Sequence, residues 1–314
     1  MTHRIVSLIS SATEIVCALG FEDDLVGRSH ECDYPPSIVQ LPACSTSKVH
    51  LDAAGQAIDS QVRSIVADGL SVYRVDPDLL NELAPTVIVT QTQCDVCAVS
   101  LSDVERAVCE LVTSQPAIVT LEPMGLGDIW SDIRKVAAAL RAPERGDALV
   151  ARLEGRLDAV RAAVPHGGPR PSIACVEWIE PLMMAANWVP ELVDCAGGEN
   201  RFGEAGKHSG YLDAEVLFAA DPDVIAVMPC GFDIDRAWRE MQPLAGRPEW
   251  SRLQAVRNGR VVMCDGNQYF NRPGPRVVES AEILAECLHP DSCDFGHRGR
   301  GWRPYGLTAT VASR

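Results

Sequence analysis

The 314-residue sequence lacks any apolar run of 18 residues, so no segment is long enough to cross a bilayer as a helix. It also lacks an apolar leader or a lipoprotein-type cysteine ahead of its opening strand pattern, Met1-Thr2-His3-Arg4-Ile5-Val6-Ser7-Leu8, and this predicts a cytoplasmic location. Positive charge is scarce. Lys and Arg number 28 against 43 Asp and Glu, and the net charge of −15 argues against nucleic acid or an anionic membrane as partner. Arg298, Arg300 and Arg303 are too few to reverse that balance. Enzymatic signatures are missing as well: there is no Gly-x-Ser-x-Gly elbow, no P-loop and no His-Glu-x-x-His helix. Gly125-Leu126-Gly127 has no nucleotide-binding strand ahead of it. Glu177 with Glu180, and Glu31 with Asp33, read as surface or loop carboxylates rather than acid and base pairs.

What is present is globular material, 46% hydrophobic with 5% aromatic residues, long enough for two domains with separate cores. Leu83-Ala84-Pro85-Thr86-Val87-Ile88-Val89-Thr90 and Ala220-Asp221-Pro222-Asp223-Val224-Ile225-Ala226-Val227 share one pattern. Each is a helix end, a proline break and a β-branched run, as expected of a buried parallel strand after a helix. The two lie about half a chain apart, so each is assigned to its own α/β lobe.

Ser11-Ala12-Thr13-Glu14 spells a capping box for a first helix closed by Gly20. Further helices are predicted at Asp52 to Asp68, Asp76 to Leu83 and Asp128 to Leu140, and a strand at Ala117 to Leu121. From Pro143 onward, Leu149, Leu153, Leu157, Val160 and Val164 form a helical stripe. A helix of about twenty residues spans about 30 Å, enough to run along two lobes. After Pro165-His166-Gly167-Gly168-Pro169, strands are predicted at Ser172 to Val176 and Arg260 to Cys264. Helices are predicted near Pro190 to Cys195, Asp213 to Ala219, Ile234 to Met241 and Pro275 to Leu288. The expected organisation is an N-terminal α/β lobe at 1–125, a helical linker at 126–168, a C-terminal α/β lobe at 169–290 and a loosely held tail at 291–314.

Twelve cysteines in a long chain assigned to a reducing compartment do not form a disulfide framework. Cys17, Cys109, Cys175, Cys195, Cys264 and Cys287 fall in apolar patterns and serve as small hydrophobes, while Cys44 and Cys293 stay unassigned. The remaining four occupy three loops: His30-Glu31-Cys32, Cys94-Asp95-Val96-Cys97 and Pro229-Cys230-Gly231. Each loop follows a strand pattern, and open α/β sheets bind ligands at the carboxyl ends of their strands. Ser102-Asp103-Val104-Glu105 opens a helix just after Cys97, where the dipole favours thiolate. Cys94 and Cys97 are spaced to reach one metal, and Cys32 and Cys230 would complete a four-thiolate shell for zinc or an iron-sulfur cluster. A redox-active dithiol and unliganded thiols are the competing readings, and His30 is either beside such a site or a hydrogen-bonded loop residue.

Aromatic and polar residues follow the other strands. Glu177-Trp178 and Asn187-Trp188 are placed in a long loop after Ser172 to Val176, and Tyr269, Phe270 and Arg272 come after Arg260 to Cys264. Flat rings with a few amides suit a large planar ligand such as a corrin or porphyrin, with Arg272 facing a propionate or phosphate. The alternative is that Trp178 and Trp188 pack beneath the loop and Arg272 caps local carbonyls.

Several stretches together resemble the class III substrate-binding proteins of ABC transporters, and most closely the leaderless branch labelled cobalamin-binding protein. They are Arg4-Ile5-Val6-Ser7-Leu8-Ile9-Ser10-Ser11-Ala12-Thr13-Glu14, His30-Glu31-Cys32-Asp33-Tyr34-Pro35, Gln93-Cys94-Asp95-Val96-Cys97-Ala98, Asn187-Trp188-Val189-Pro190-Glu191, Pro229-Cys230-Gly231-Phe232 and Asp265 through Pro275. The resemblance covers roughly residues 3 to 290. It implies two Rossmann-like lobes joined by a long rigid helix, with a largely preformed ligand cleft between them. It further implies a corrinoid, cobalamin-like, or related tetrapyrrole ligand contacted by His30, Glu31, Trp178, Asn187, Trp188, Asn267, Tyr269, Phe270 and Arg272. A metalloprotein or enzyme built on Cys32, Cys94, Cys97 and Cys230 is the second expectation. A small molecule is the expected partner, and the sequence names no protein partner.

Overall fold

The computed structural model describes residues 3–50, 52–67, 72–91 and 114–306. They divide into two compact units, Met1–Glu154 with Pro273–Pro275, and Gly155–Arg272 with Arg276–Arg314.

In the first unit, β1 (Ile5–Ser7), β2 (Leu25–Arg28), β5 (Val87–Gln91) and β6 (Ala117–Leu121) make a parallel sheet in the order β2-β1-β5-β6. Every residue of β5 is buried, as a central parallel strand covered on both faces requires. A separate antiparallel pair joins β3 (Ser45–Ser47) to β4 (Tyr73–Val75). Helix α1 (Ser10–Ala18) links β1 to β2 and closes with Gly20 at φ 81°, where Phe21 N–H donates to the Val16 carbonyl at 3.1 Å and Gly20 N–H to that of Cys17 at 2.9 Å. That double bond satisfies carbonyls a helix end otherwise leaves open. The expected capping box does not form. Ile9 is the N-cap and no side chain caps the helix, because α1 begins at Ser10 and Ser11 already lies within its first turn.

Helices α2 (Gly55–Ala67), α3 (Pro77–Leu83), α4 (Leu126–Ala139) and α5 (Pro143–Ala163) complete this part of the chain. Asp76 caps α3 by accepting from Leu79 N–H at 3.0 Å. Asp128 on α4 accepts from the Met124 and Gly125 amides, and Asp132 from the Glu122 amide, so α4 holds the loop that leaves β6. The predicted α5 stripe is buried throughout, at Leu149, Leu153, Leu157 and Val160, and at Val164 just past its end. The division between the units falls inside α5.

The second unit is built on a seven-stranded mixed sheet in the order β10-β8-β7-β11-β12-β13, with β9 (Glu199–Asn200) beside β7. Its parallel centre is β7 (Ser172–Trp178), β11 (Val224–Val227) and β12 (Val261–Cys264). The flanks, β8 (Met183–Met184), β10 (Gly210–Tyr211) and β13 (Trp302–Pro304), run antiparallel to their neighbours. The longer helices are α6 (Val189–Cys195), α7 (Ala214–Ala220), α8 (Ile234–Glu240) and α9 (Val277–Leu288). The helix, proline and strand pattern seen twice in the sequence has one backbone solution. Ala84 after α3 and Asp221 after α7 are left-handed C-caps, at φ 42° and 40°, and a proline follows each.

Of the expected loose tail, residues 291–306 are described, and 293–305 of these are held in place. Helix α9 is buried on nearly every side, so its Glu282 and Glu286 need internal partners. Glu286 accepts from the amides of Phe295 and His297 and from Trp302 Nε1, at 2.6, 3.0 and 2.5 Å. Glu282 pairs with Arg156 at 2.8 Å and with His297 Nε2 at 2.8 Å. These bonds and the β12–β13 pairing fasten residues 293–305 to the unit.

Among the described residues no cysteine is in a disulfide. Cys44, unassigned from sequence, sits in a core with Val6, Leu8, Val75, Leu80 and Ile88, and burial pushes its thiol up to about 12. Cys175, Cys195, Cys264 and Cys287 are buried as expected, and so is Cys293. Cys109 lies outside the described residues.

Candidate functional site

In the first unit the carboxyl end of β2 runs into Ser29-His30-Glu31-Cys32, and Arg28 fixes the turn by donating to the carbonyls of Ser29, Val39 and Leu41 at 2.9, 3.2 and 3.1 Å. Glu31 is held at three points. Its amide donates to Ser29 Oγ at 3.2 Å, its carbonyl accepts from Ser10 Oγ at 2.9 Å, and its Oε1 accepts from the Tyr73 hydroxyl at 2.8 Å. His30 leans on the same tyrosine, with ring centroids 5.2 Å apart. Ser45 Oγ accepts from the His30 amide at 3.3 Å and lies 2.9 Å from Nδ1. Nε2 is buried without a hydrogen-bond partner, 3.8 Å from Glu31 Oε1. Burial first, and Arg28 second, hold the His30 pKa below the usual histidine range, so the ring is neutral at neutral pH. Cys32 is buried, with the Thr13 hydroxyl 3.0 Å from its sulfur.

In the second unit β7 extends to Trp178, so Glu177 and Trp178 end a strand instead of opening a loop. The strand continues because β8 pairs with its last residues, Met183 opposite Trp178. Glu177 Oε2 accepts from Ser209 Oγ at 2.6 Å, and Ser209 Oγ in turn accepts from the Ala186 amide at 3.0 Å. The half-buried Trp178 ring lies 5.0 Å from Phe232, and the Arg236 guanidinium sits 3.9 Å from the Phe232 centroid. Exposed Cys230 follows β11 and donates its amide to the Glu177 carbonyl at 3.3 Å. Close backbone approach sets this loop: a Cβ on Gly266 would stand 2.0 Å from the Pro229 carbonyl oxygen.

Of the other predicted contact residues, Trp188, Tyr269, Phe270 and Arg272 are buried, while Asn187 and Asn267 are half-buried. Trp188 is buried and its Nε1 donates to the Phe270 carbonyl at 2.8 Å. Phe270 is 1% exposed and Tyr269 6%, so their rings belong to the interior of the unit. Arg272, expected to meet a ligand anion, is buried and donates to Asn267 Oδ1 at 3.2 Å, because an interior guanidinium must be hydrogen-bonded. Asn187 adopts φ 52° and ties its loop to Gly206 and Lys207 through its backbone.

The structure therefore brings His30 and Glu31 together in one unit, and Trp178 and Cys230 together in the other. Tyr73, Ser45, Ser209, Phe232 and Arg236 shape these edges and were not singled out from sequence as site residues. Pro229-Cys230-Gly231-Phe232 was the one available signal for Phe232; Tyr73 and Ser209 lie 42 and 32 residues from the glutamates they hold, and nothing local marks them.

Of the four cysteines expected to hold zinc or an iron-sulfur cluster, Cys94 and Cys97 lie outside the described residues, while Cys32 and Cys230 belong to different units. Among the described residues no three His, Cys, Asp or Glu side chains form a group able to hold a metal ion. A concave surface of about 600 Å³ lined by His3, Phe21, Leu140 and Arg145 occurs at the other end of the first sheet, beside the residue that leads into β1.

The profile of periplasmic binding proteins matches residues 5–268. The chain belongs to the periplasmic binding protein family. A cobalamin-binding protein of Halobacterium salinarum is 25% identical over 293 residues, covering 91% of this chain and 69% of that protein. The periplasmic haem-binding protein of Roseiflexus sp. RS-1 superposes with a TM-score of 0.68 at 23% identity, over 92% of this chain and 99% of its own. The periplasmic vitamin B12-binding protein of Vibrio cholerae gives a TM-score of 0.59 at 22% identity, over 91% and 96%. These two likenesses establish the shared fold. Open α/β sheets bind ligands beyond the carboxyl ends of their strands, and both loop sets described above follow such ends, each within its own unit.

Proposed function

We propose that this member of the periplasmic binding protein family binds a tetrapyrrole-type small molecule, and specifically a corrinoid such as cobalamin, at the carboxyl-end loops of its sheets. The observation that carries the reading is the similarity to a cobalamin-binding protein across 91% of the chain. The chemistry of the loops agrees with it. Half-buried Trp178, at the carboxyl end of β7 and beside Phe232, offers a flat aromatic surface of the kind a planar macrocycle stacks on. Titrating the full chain with cyanocobalamin, and separately with hemin, at micromolar concentration tests this. Saturable quenching of tryptophan fluorescence together with a shift of the visible bands is the expected result. Absence of any saturable change with both compounds would refute it.

A further inference from the structure

Resting on the tetrapyrrole reading just given, we infer that Arg236 is a positioning residue for that site: acting through Phe232, it sets the plane of Trp178, the ring on which the macrocycle stacks. All three residues belong to one unit. Trp178 ends β7, Phe232 lies in the loop that follows β11, and Arg236 is in the first turn of α8.

A tryptophan side chain turns about two bonds, and a flat ligand makes full contact with only one setting of them. Two contacts restrain that setting here. The indole Nε1 donates to the Glu180 carbonyl at 3.0 Å, and the ring packs on Phe232 with centroids 5.0 Å apart and planes tilted by 49°. A single hydrogen bond fixes a point on the indole rather than its plane. The plane is left to Phe232.

Phe232 is itself held. Its amide donates to the Pro229 carbonyl and its carbonyl accepts from the Asn267 amide, both at 3.0 Å, and the residue is 3% exposed. The Arg236 guanidinium lies over the phenyl ring, 3.9 Å from its centroid. A guanidinium on an aromatic face adds planar stacking to the attraction of a cation for the ring, and the attraction grows with desolvation, as at half-buried Arg236. The arginine backbone is anchored as well, because Asp233 caps α8 by accepting from the Arg236 amide at 2.7 Å. The capped first turn of α8 therefore reaches Trp178 through one phenyl ring. An indole oriented before the ligand arrives spares binding the cost of ordering it, worth about two- to tenfold in affinity for one side chain.

Arg236→Gln leaves a polar side chain on α8 and removes the guanidinium. Equilibrium dialysis with cyanocobalamin up to millimolar concentration, on the full chain as wild type, Arg236→Gln, Trp178→Ala and the double variant, tests the inference. Arg236→Gln is expected to weaken binding about two- to tenfold when Trp178 is present and to change nothing in Trp178→Ala, since a residue that works through the indole has nothing to work on without it. The near-ultraviolet circular dichroism of Trp178, taken without ligand as the difference between wild type and Trp178→Ala, is expected to collapse in Arg236→Gln. Should Trp178→Ala abolish binding, this band alone decides. An equal loss of affinity in both backgrounds, as direct contact of Arg236 with the ligand or general destabilisation would give, overturns the inference and leaves tetrapyrrole binding standing, and so does an unchanged Trp178 band. Failure of wild type to bind either cyanocobalamin or hemin overturns both.

Discussion

Glu177 shows how a side chain is oriented by neighbours that its own motif does not reveal. In the sequence it is one of two glutamates near a strand end; in the structure Ser209, 32 residues on, turns it into an oriented acceptor. Trp188 went the other way. Its motif pointed to ligand contact, yet its indole N–H is committed to the Phe270 carbonyl inside the unit. Trp188→Phe should therefore cost about 1 to 3 kcal/mol of stability, read as a lower urea midpoint, because it strands a buried carbonyl. Asp132 gives a pH signature. Burial pushes its carboxyl up to about 6, so the folded chain holds a proton that the unfolded chain releases between about pH 4 and 6. Its stabilising contribution is complete below about pH 4 and is lost as the pH rises through 6, a decline of up to about 3 kcal/mol. Asp132→Asn should flatten that part of the stability profile, as measured by denaturant unfolding at several pH values.

Most strands and helices were legible because their signals are local: β-branched runs after Ala84-Pro85 and Asp221-Pro222, the apolar stripe of α5, and Gly20 after α1. What was not legible depends on distant partners. Residues 291–306 look loose by composition, and only the inward-facing Glu282 and Glu286 of α9 explain why they are held. The capping box failed because α1 starts one residue earlier, at Ser10, so that Ile9 is the N-cap and Ser11 lies inside the first turn. Two variants probe these elements. Glu286→Ala removes the acceptor of three N–H groups and should destabilise the protein by about 3 kcal/mol or more, with faster amide exchange across 295–304. Gly266→Ala puts a methyl 2.0 Å from the Pro229 carbonyl, so the 229–232 loop must shift, which a lowered Tm and weakened corrin binding would register.

For the molecule as a whole, the α/β class, the two units and the family were readable from sequence, and the family model spanning residues 5–268 agrees. The identity of the ligand was less so, because one fold carries many ligands and specificity lies in side-chain placement. The central claim is that a corrinoid is held at the carboxyl-end loops of the sheets. Hydrogen-exchange mass spectrometry of the full chain with and without saturating cyanocobalamin tests it most directly. Protection concentrated in residues 29–34, 177–189 and 228–233 is the predicted result. Protection confined to the surface around His3, Phe21 and Arg145, or no change anywhere, would contradict it.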